Sequence, residues 1–512
     1  MARRSSQEGI LSRQKINVHT VVMLVLLGFG SVTAGYSAAV MGITSAGQPS
    51  FNDYFQLETR SNGADLLATM NGMFSAGGVI GTLLLPTIAD KWGRKWACAV
   101  SSILTIVSGS LLAGSVNVGM FIAFRFLAGA GSFMCLAAVP LLMGEIAPVH
   151  MRGGLIDIHA SMFSGGYAIQ AWIGFGFYWW TGKGSSNAWR PPIAIQCFLA
   201  AGLDRASEAK DILLKLHLDP TDPNNDAAHA EFYQIQKQIA IDKTLGNTWW
   251  HILKKPSYRK RAVIGCGITV FTPFSGIYVI NVYGPTLYKL LQYSTTKALL
   301  IPSLWSTFNV LCNLTAIGLV DRFPRPKYMA FGMAGCMVSL IVETALIANF
   351  VPSTNNAALQ AAVAMFFIFT LFFNLCIDGT QFSYLGEVFP THLRAKGVCL
   401  GIAHISFQNI LWLQVAPVAL RTIGWRFFLC FIIPGSIACV VMWVWFPDTK
   451  GRPLEEIAAL FGDVDEVAIY QHEIEIDTAT HTIRDLHHDS KGAAQTQLEF
   501  TSHHEETGSE KV

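Results

Sequence analysis

Charge is scarce in this chain. Only 14% of its 512 residues are Asp, Glu, Lys or Arg, against 52% hydrophobic residues and a mean hydropathy of +0.40. That is too apolar for a soluble protein with a polar surface and points to an integral membrane protein. The net charge is only +2 and no basic face or acidic block stands out, so nothing suggests a nucleic-acid partner. The ten cysteines, among them Cys98, Cys135, Cys266, Cys336 and Cys430, stand singly in apolar segments without CxxC pairs or metal-ligand spacing. They read as core thiols, and no metal is expected. No Ser/His/Asp arrangement or phosphate-binding glycine loop is evident, so neither enzyme chemistry nor a cofactor is expected. Strands of alternating polarity are lacking as well, which leaves helices as the way to satisfy the backbone in lipid. No small-residue cleavage site follows the basic start MARRSSQEGILSRQK, so the first apolar run reads as a retained helix.

What is present is a series of long apolar runs, from Val21 to Gly42 at one end to Phe427 to Phe446 at the other, eleven in all, with one short run besides. GGVIG (Gly77 to Gly81) and GAG (Gly129 to Gly131) suit close helix approach. Lys and Arg cluster in alternate connections: Arg3, Arg4 and Arg13; Lys91, Arg94 and Lys95; Arg152; and Lys254 to Arg261. The positive-inside rule places these connections and both termini in the cytoplasm. The predicted organisation is a cytoplasmic N-terminal segment (1–19), an N-terminal transmembrane half (20–203), a cytoplasmic helical linker (204–262), a C-terminal transmembrane half (263–447) and a cytoplasmic tail (448–512). The tail is charged and sprinkled with histidine; a solvated, disordered segment is the expectation there, with metal binding as the alternative.

An internal repeat supports the two halves. GEIAPVHMR at Gly144 to Arg152 and GEVFPTHLR at Gly386 to Arg394 share GExxPxHxR, and DKWGRK at Asp90 to Lys95 is echoed by DRFPRP at Asp321 to Pro326. Two similar six-helix halves imply a substrate site at their interface and access that alternates by rocking. Charges at the helix ends can pair across the halves when the inner side is closed. Asp90, Arg94, Glu145, Arg152, Asp321, Arg325, Glu387 and Arg394 are therefore the expected conformational gate, with topology anchoring as the plainer reading.

DKWGRK, RFLAGAGSF, PLLMGEIAPVHMRG, GEVFPTHLRAKG and PDTKGRPLEEI together resemble the signatures of the sugar-porter family of the major facilitator superfamily, in its fungal form, over about Val21 to Gly462. The resemblance implies an all-α membrane protein, a twelve-helix bundle of two pseudo-symmetric halves, that moves a monosaccharide or related polyol across the plasma membrane by alternating access. Its expected partners are that substrate and membrane lipid, and its expected state is monomeric. Pro324 stands where the family usually has Gly, which puts the second-half turn in doubt.

Sugar recognition uses amides for vicinal hydroxyls and aromatic rings for the apolar sugar face. At the family's usual positions this chain departs: Ala160 beside His159 replaces Gln, Thr272 and Pro273 in TPFSG replace two Gln, Tyr278 replaces Asn, and DGTQF ends in Phe382 where Trp is usual. The candidate site is Asn309, Asn409, Tyr278, Tyr283, Gln381 and Phe382, with Thr272 as a weaker member. Proton-coupled members resemble GYD in the first helix opposite a fourth-helix Arg; here the triplet is Gly35, Tyr36 and Ser37, with Arg125 kept. Ser37 cannot exchange a proton near neutral pH, which favours facilitated diffusion. The alternatives are a symporter using another acid, with Asp378 and Arg125 as the coupling candidates, a non-transporting sugar sensor, or an inert truncated product. Asp157, Glu343 and Asp378 are the acids inside apolar runs, and each is a functional hypothesis.

The short run lies in RPPIAIQCFLAAGLDR, where the thirteen residues 191–203 make a helix of about 20 Å, short of a bilayer core of about 30 Å. WRPPIAIQC resembles the family's start of the sixth helix and RASEAKDILLKLH the linker helix beyond it. The expectation is a sixth helix truncated by about 15–20 residues, with folding or transport impaired as a result.

Overall fold

The computed structural model describes residues 18–47, 49–57, 59–147, 152–180, 187–197, 238, 242, 245–246, 248–290, 293–350, 356–452, 456–463, 474–477 and 482–485. The first-half helices are α1 (Val18–Gly47), a short α2 (Pro49–Phe55), α3 (Gly63–Trp92), α4 (Arg94–Ala113), α5 (Val118–Ile146), α6 (Arg152–Trp180) and α7 (190–197). The second half runs from α8 (Trp249–Lys254) and α9 (Pro256–Phe271) through α10 (Ile277–Leu290), α11 (Thr295–Ala316), α12 (Arg325–Phe350), α13 (Asn356–Phe373), α14 (Gly379–Val388) and α15 (Arg394–Thr422) to α16 (Leu429–Trp445), with a last turn α17 (Ile457–Leu460). Among the described residues nine helical segments are long and apolar enough to cross a membrane, and ten if the bent pair α9 and α10 counts as one span. The second half's first helix therefore starts at Pro256, inside the stretch expected to be linker. The body of that linker, the N-terminal segment before Val18 and the residues after Cys197, where the sixth helix was expected to be truncated, lie outside the described residues.

Burial follows the two environments. On α16, Ile433, Ile437, Val440 and Val444 are exposed at helical spacing while Phe431, Gly435, Ala438 and Met442 are buried, as one lipid face and one packed face require. Small residues set the close approaches: a Cβ at Gly77 would overlap the Phe126 carbonyl, and one at Gly129 the Phe74 carbonyl, so α3 and α5 meet backbone to backbone. The halves meet where α3 packs on α15, α6 on α11 and α14, and α1 on α10.

Two local breaks shape the second half. Pro273 stops α9, a 3-10 turn Pro273–Ser275 follows, and Gly276 at φ +86° leads the chain into α10 with a 45° bend; proline removes the helical donor and glycine takes the left-handed conformation. TPFSG is thus a hinge in the backbone. In the span α13 to α14, residues Asn374–Asp378 form a π-helical turn, a feature that recurs at functional sites.

The doubt over Pro324 is resolved by a different turn. In the first half Gly93, at φ +92°, joins α3 to α4. In the second, a 3-10 turn Val320–Arg322 leads to Phe323 at φ −117°, ψ 153°, the extended conformation that a following proline imposes. Both turns bring Asp and Arg together one helical turn apart: Arg94 to Asp90 at 3.2 Å and Arg325 to Asp321 at 2.6 Å.

In the tail, a two-stranded antiparallel pair, β1 (Ile474–Asp477) with β2 (Thr482–Asp485), corrects the expectation of an unstructured segment over those residues. Ile474, Ile476 and Ile483 supply alternating β-branched positions. Closer to the bundle, Asp463 receives Lys255 at 2.7 Å and the fully buried Arg261 at 2.9 Å, tying the end of the second half to the start of α9.

Candidate functional site

A cavity lies between the halves, lined by residues of both. Its polar lining comes from both halves. α3 contributes Asn71 and Ser75, α5 Arg125, α6 Ser164 and Tyr167, α10 Tyr278 and Asn281, α11 Asn309, and the π turn with α14 Asn374, Asp378 and Gln381; Asn409 of α15 completes it. Phe74, Phe133, Phe163, Phe373 and Phe382 add the aromatic walls. One carbonyl oxygen on each of Asn309, Asn409 and Gln381 is buried without a hydrogen-bond partner. Such acceptors await a donor, since a buried unpaired polar group costs about 1–3 kcal/mol.

Five of the seven sequence candidates therefore converge: Asn309, Asn409, Tyr278, Gln381 and Phe382. The other two do not line this cavity. Tyr283 donates its hydroxyl to the Leu413 carbonyl at 2.7 Å, joining α10 to α15. Thr272 is buried and folds its hydroxyl back on the Ile268 carbonyl at 3.1 Å, at the hinge. The residues missed were partly legible. Asn281 is three residues after Tyr278, hence on the same helix face. Asn374 stands four residues before Asp378 and seven before Gln381 on one span; an apolar reading of that run hides it. Asn71 and Ser75 carry the same four-residue spacing in α3.

The charged residues divide. Asp378 is in the cavity wall, where Asn313 donates to its Oδ2 at 2.9 Å and to the Ser164 hydroxyl at 2.7 Å. Arg125 is 1% exposed; its Nη1 donates to the Ser37 carbonyl at 3.2 Å and its guanidinium lies 4.1 Å from the Phe74 ring centre. Asp157 and Glu343 are buried, with no hydrogen-bond partner on either carboxylate oxygen, and do not line the cavity. His159 exchanges a hydrogen bond with Ser31 at 2.6 Å and meets Phe382 edge-on at 4.9 Å.

At the end that carries the repeated motifs, the expected gate residues pair mainly within their own halves. Arg94 holds Asp90 and, at 3.1 Å, Glu145; Arg325 holds Asp321 and, at 3.5 Å, Glu387. Arg394 donates to the Gly386 carbonyl and the Thr391 hydroxyl, and Arg152, Glu387 and Arg394 line one small cleft between the halves. Across the halves, Lys396 reaches the gate residue Asp90 at 2.6 Å, the Gly154 amide reaches Asp321 at 2.7 Å, and the Ser383 hydroxyl the Gly153 carbonyl at 3.4 Å. Lys396 was absent from the sequence-based set. At the opposite end, Trp172 donates to Thr307 at 2.9 Å and Ser303 to the Ala171 carbonyl at 3.2 Å. The cavity is thus bracketed at both ends by contacts between the halves.

The start of the sixth helix, α7, is firmly seated. Trp189 is fully buried against Phe51, Phe55 and Phe121, Arg190 donates to the Ala113 carbonyl at 2.6 Å, and Tyr36 to that of Pro192 at 2.6 Å. Cys197 reaches Ser110 at 3.4 Å.

The family model described as sugar (and other) transporter matches residues 23–461. A glucose transporter of the major facilitator superfamily from Aspergillus flavus is 27% identical, covering 85% of this chain and 89% of that protein. A probable quinate permease from Aspergillus clavatus is 26% identical, covering 88% of this chain and 89% of that one. Among solved structures, the proton:xylose symporter XylE of E. coli, bound to 6-bromo-6-deoxy-D-glucose, superposes with a TM-score of 0.73 at 20% identity, covering 86% of this chain and 99% of that chain.

Proposed function

This chain belongs to the sugar (and other) transporter family of the major facilitator superfamily, and from that premise we propose that it carries a monosaccharide or related polyol across the plasma membrane by alternating access, with both termini in the cytoplasm. It is a multi-pass membrane transporter and not an enzyme. The observation that carries the substrate reading is the ring of amide side chains with unpaired carbonyl oxygens, Asn309, Asn409 and Gln381, facing one cavity between the halves beside Phe382. Hydroxyl groups of a polyol are the donors those oxygens lack. The gate set of Asp90, Arg94, Glu145, Arg152, Asp321, Arg325, Glu387 and Arg394, with Lys396 added, stands at the proposed cytoplasmic side, where the links of Lys396 to Asp90 and of the Gly154 amide to Asp321 close this conformation and part when the halves rock.

Facilitated diffusion is the proposed mode. Ser37 gives Arg125 a carbonyl in place of an acid, so the first helix has no proton-exchanging group opposite it. Uptake of labelled sugars into a transporter-deficient host tests the function: accumulation ratios that stop at equilibrium and ignore an uncoupler are expected, and no uptake of any sugar or polyol would overturn it. A symport reading has one supporting observation, Asp378 in the cavity wall. On that reading Asp378→Asn abolishes acid-stimulated uptake and leaves exchange intact; unchanged pH dependence removes it.

A further inference from the structure

The cavity holds a cation with no counter-charge. Arg125 is 1% exposed and lines the cavity, yet no carboxylate among the described residues lies within salt-bridge reach of it. Its fixed neighbours are one carbonyl, that of Ser37, and the face of Phe74, while its Nε has no acceptor. A guanidinium stays charged in a protein, and a buried charge left unpaired is costly. Asp378, the one acid in the same wall among the described residues, is engaged elsewhere, by Asn313. The site is therefore polarised: a fork of donors with a spare valence in one place, and acceptor oxygens of Asp378, Asn309, Asn409 and Gln381 in others.

We propose that the preferred substrate is a polyhydroxylated carboxylate, its carboxylate seated on Arg125 and its hydroxyls donating to the amide and Asp378 oxygens. This rests on the transport reading above and narrows it. A neutral sugar satisfies the amide oxygens but leaves the guanidinium uncompensated; a sugar acid satisfies both, with charge-assisted bonds at the cation. Ser37 is central to the selectivity, because an acid at that position would neutralise Arg125 from within and shut out the substrate's own carboxylate.

The test compares D-glucuronate with D-glucose, the same ring with a carboxylate in place of a hydroxymethyl group, in equilibrium binding to the purified full chain. Wild type should bind glucuronate about tenfold more tightly than glucose, the scale of one charge-assisted contact. Both Arg125→Gln and Ser37→Asp should bring the ratio to about one, the first by removing the cation and the second by pairing it. Equal affinity for the two ligands in wild type overturns the proposal while leaving sugar transport standing. So does a preference that survives Arg125→Gln in folded protein. Binding of neither ligand overturns the proposal, and the uptake assay with other sugars and polyols then decides the transport reading separately.

Discussion

Lys396 of the second half donates to Asp90 of the first at 2.6 Å, and the repeat gives this link a counterpart. Lys396 is two residues after Arg394 in its motif, as Gly154 is after Arg152. The Gly154 amide donates to Asp321, the partner of Asp90 in the other half, at 2.7 Å. One carboxylate on each side thus accepts from the matching place on the other, once from an ammonium and once from a backbone N–H.

Removing the ammonium should loosen that closure on one side only. Lys396→Met is expected to shift the equilibrium toward the form open at the motif end by about fivefold, or about 1 kcal/mol, the scale of a partly exposed pair. Accessibility of a cysteine placed in the cleft beside Arg152 measures it, and an Asp90→Asn double-mutant cycle should return most of the effect as coupling. Strict additivity would remove the pair from the gate.

Asp463 compensates a fully buried guanidinium, that of Arg261. Asp463→Asn should lower stability in detergent by about 3 kcal/mol, because breaking a buried pair leaves its partner uncompensated. Thermal unfolding of the purified protein reports it. Loss of under 0.5 kcal/mol would mean that the remaining Ala458 carbonyl and Phe461 ring contacts suffice for Arg261.

The same pair predicts an acid limb. Burial alone would raise the Asp463 carboxyl, but hydrogen bonding from Lys255 and the charges of Arg261 and Lys255 outweigh it and hold the group below its ordinary range. A carboxyl depressed in the folded state stabilises fully above its unfolded value, about 3.9, and that contribution fades as pH falls through the folded value. Thermal stability should therefore show no Asp463-dependent change between pH 7 and 5, then fall below about pH 4. Asp463→Asn should flatten that part of the profile.

Gly379 follows the π turn where a Cβ would coincide with the Asp157 carboxylate. Gly379→Ala should cut the folded yield by about tenfold, a cost of at least about 1.4 kcal/mol, as overpacking predicts. Asp157→Ala in the same chain should recover it, as judged by monodisperse protein in size-exclusion chromatography. Failure to recover would place the defect in the backbone of the π turn.

Restoring the sixth helix is the test of its shortness. Insertion of about 15–20 apolar residues after Cys197 gives it a spanning length, and surface expression and uptake should rise. Normal expression and uptake by the chain as it stands would refute the expected impairment. The seating of Trp189 and Arg190 gives the insertion a fixed starting point.

Much of this was legible in one dimension. Composition alone required the membrane, because so few charges cannot clothe a soluble surface. The duplicated motifs marked two halves, but their charges were expected to pair across the halves, whereas Arg94 holds Asp90 and Arg325 holds Asp321 within each half, across the turn between two helices. What the sequence could not fix was which polar face of each helix looks into the cavity. Tyr283 and Thr272 face a neighbouring carbonyl, while Asn71, Asn281 and Asn374 face the cavity. Nor could it pair Asp90 with a lysine 306 residues away, or leave Arg125 beside a carbonyl. Periodicity determines which residues share a face. Where that face points depends on helix rotation and on the hinge and π turn, and these are decided only when the two halves pack together.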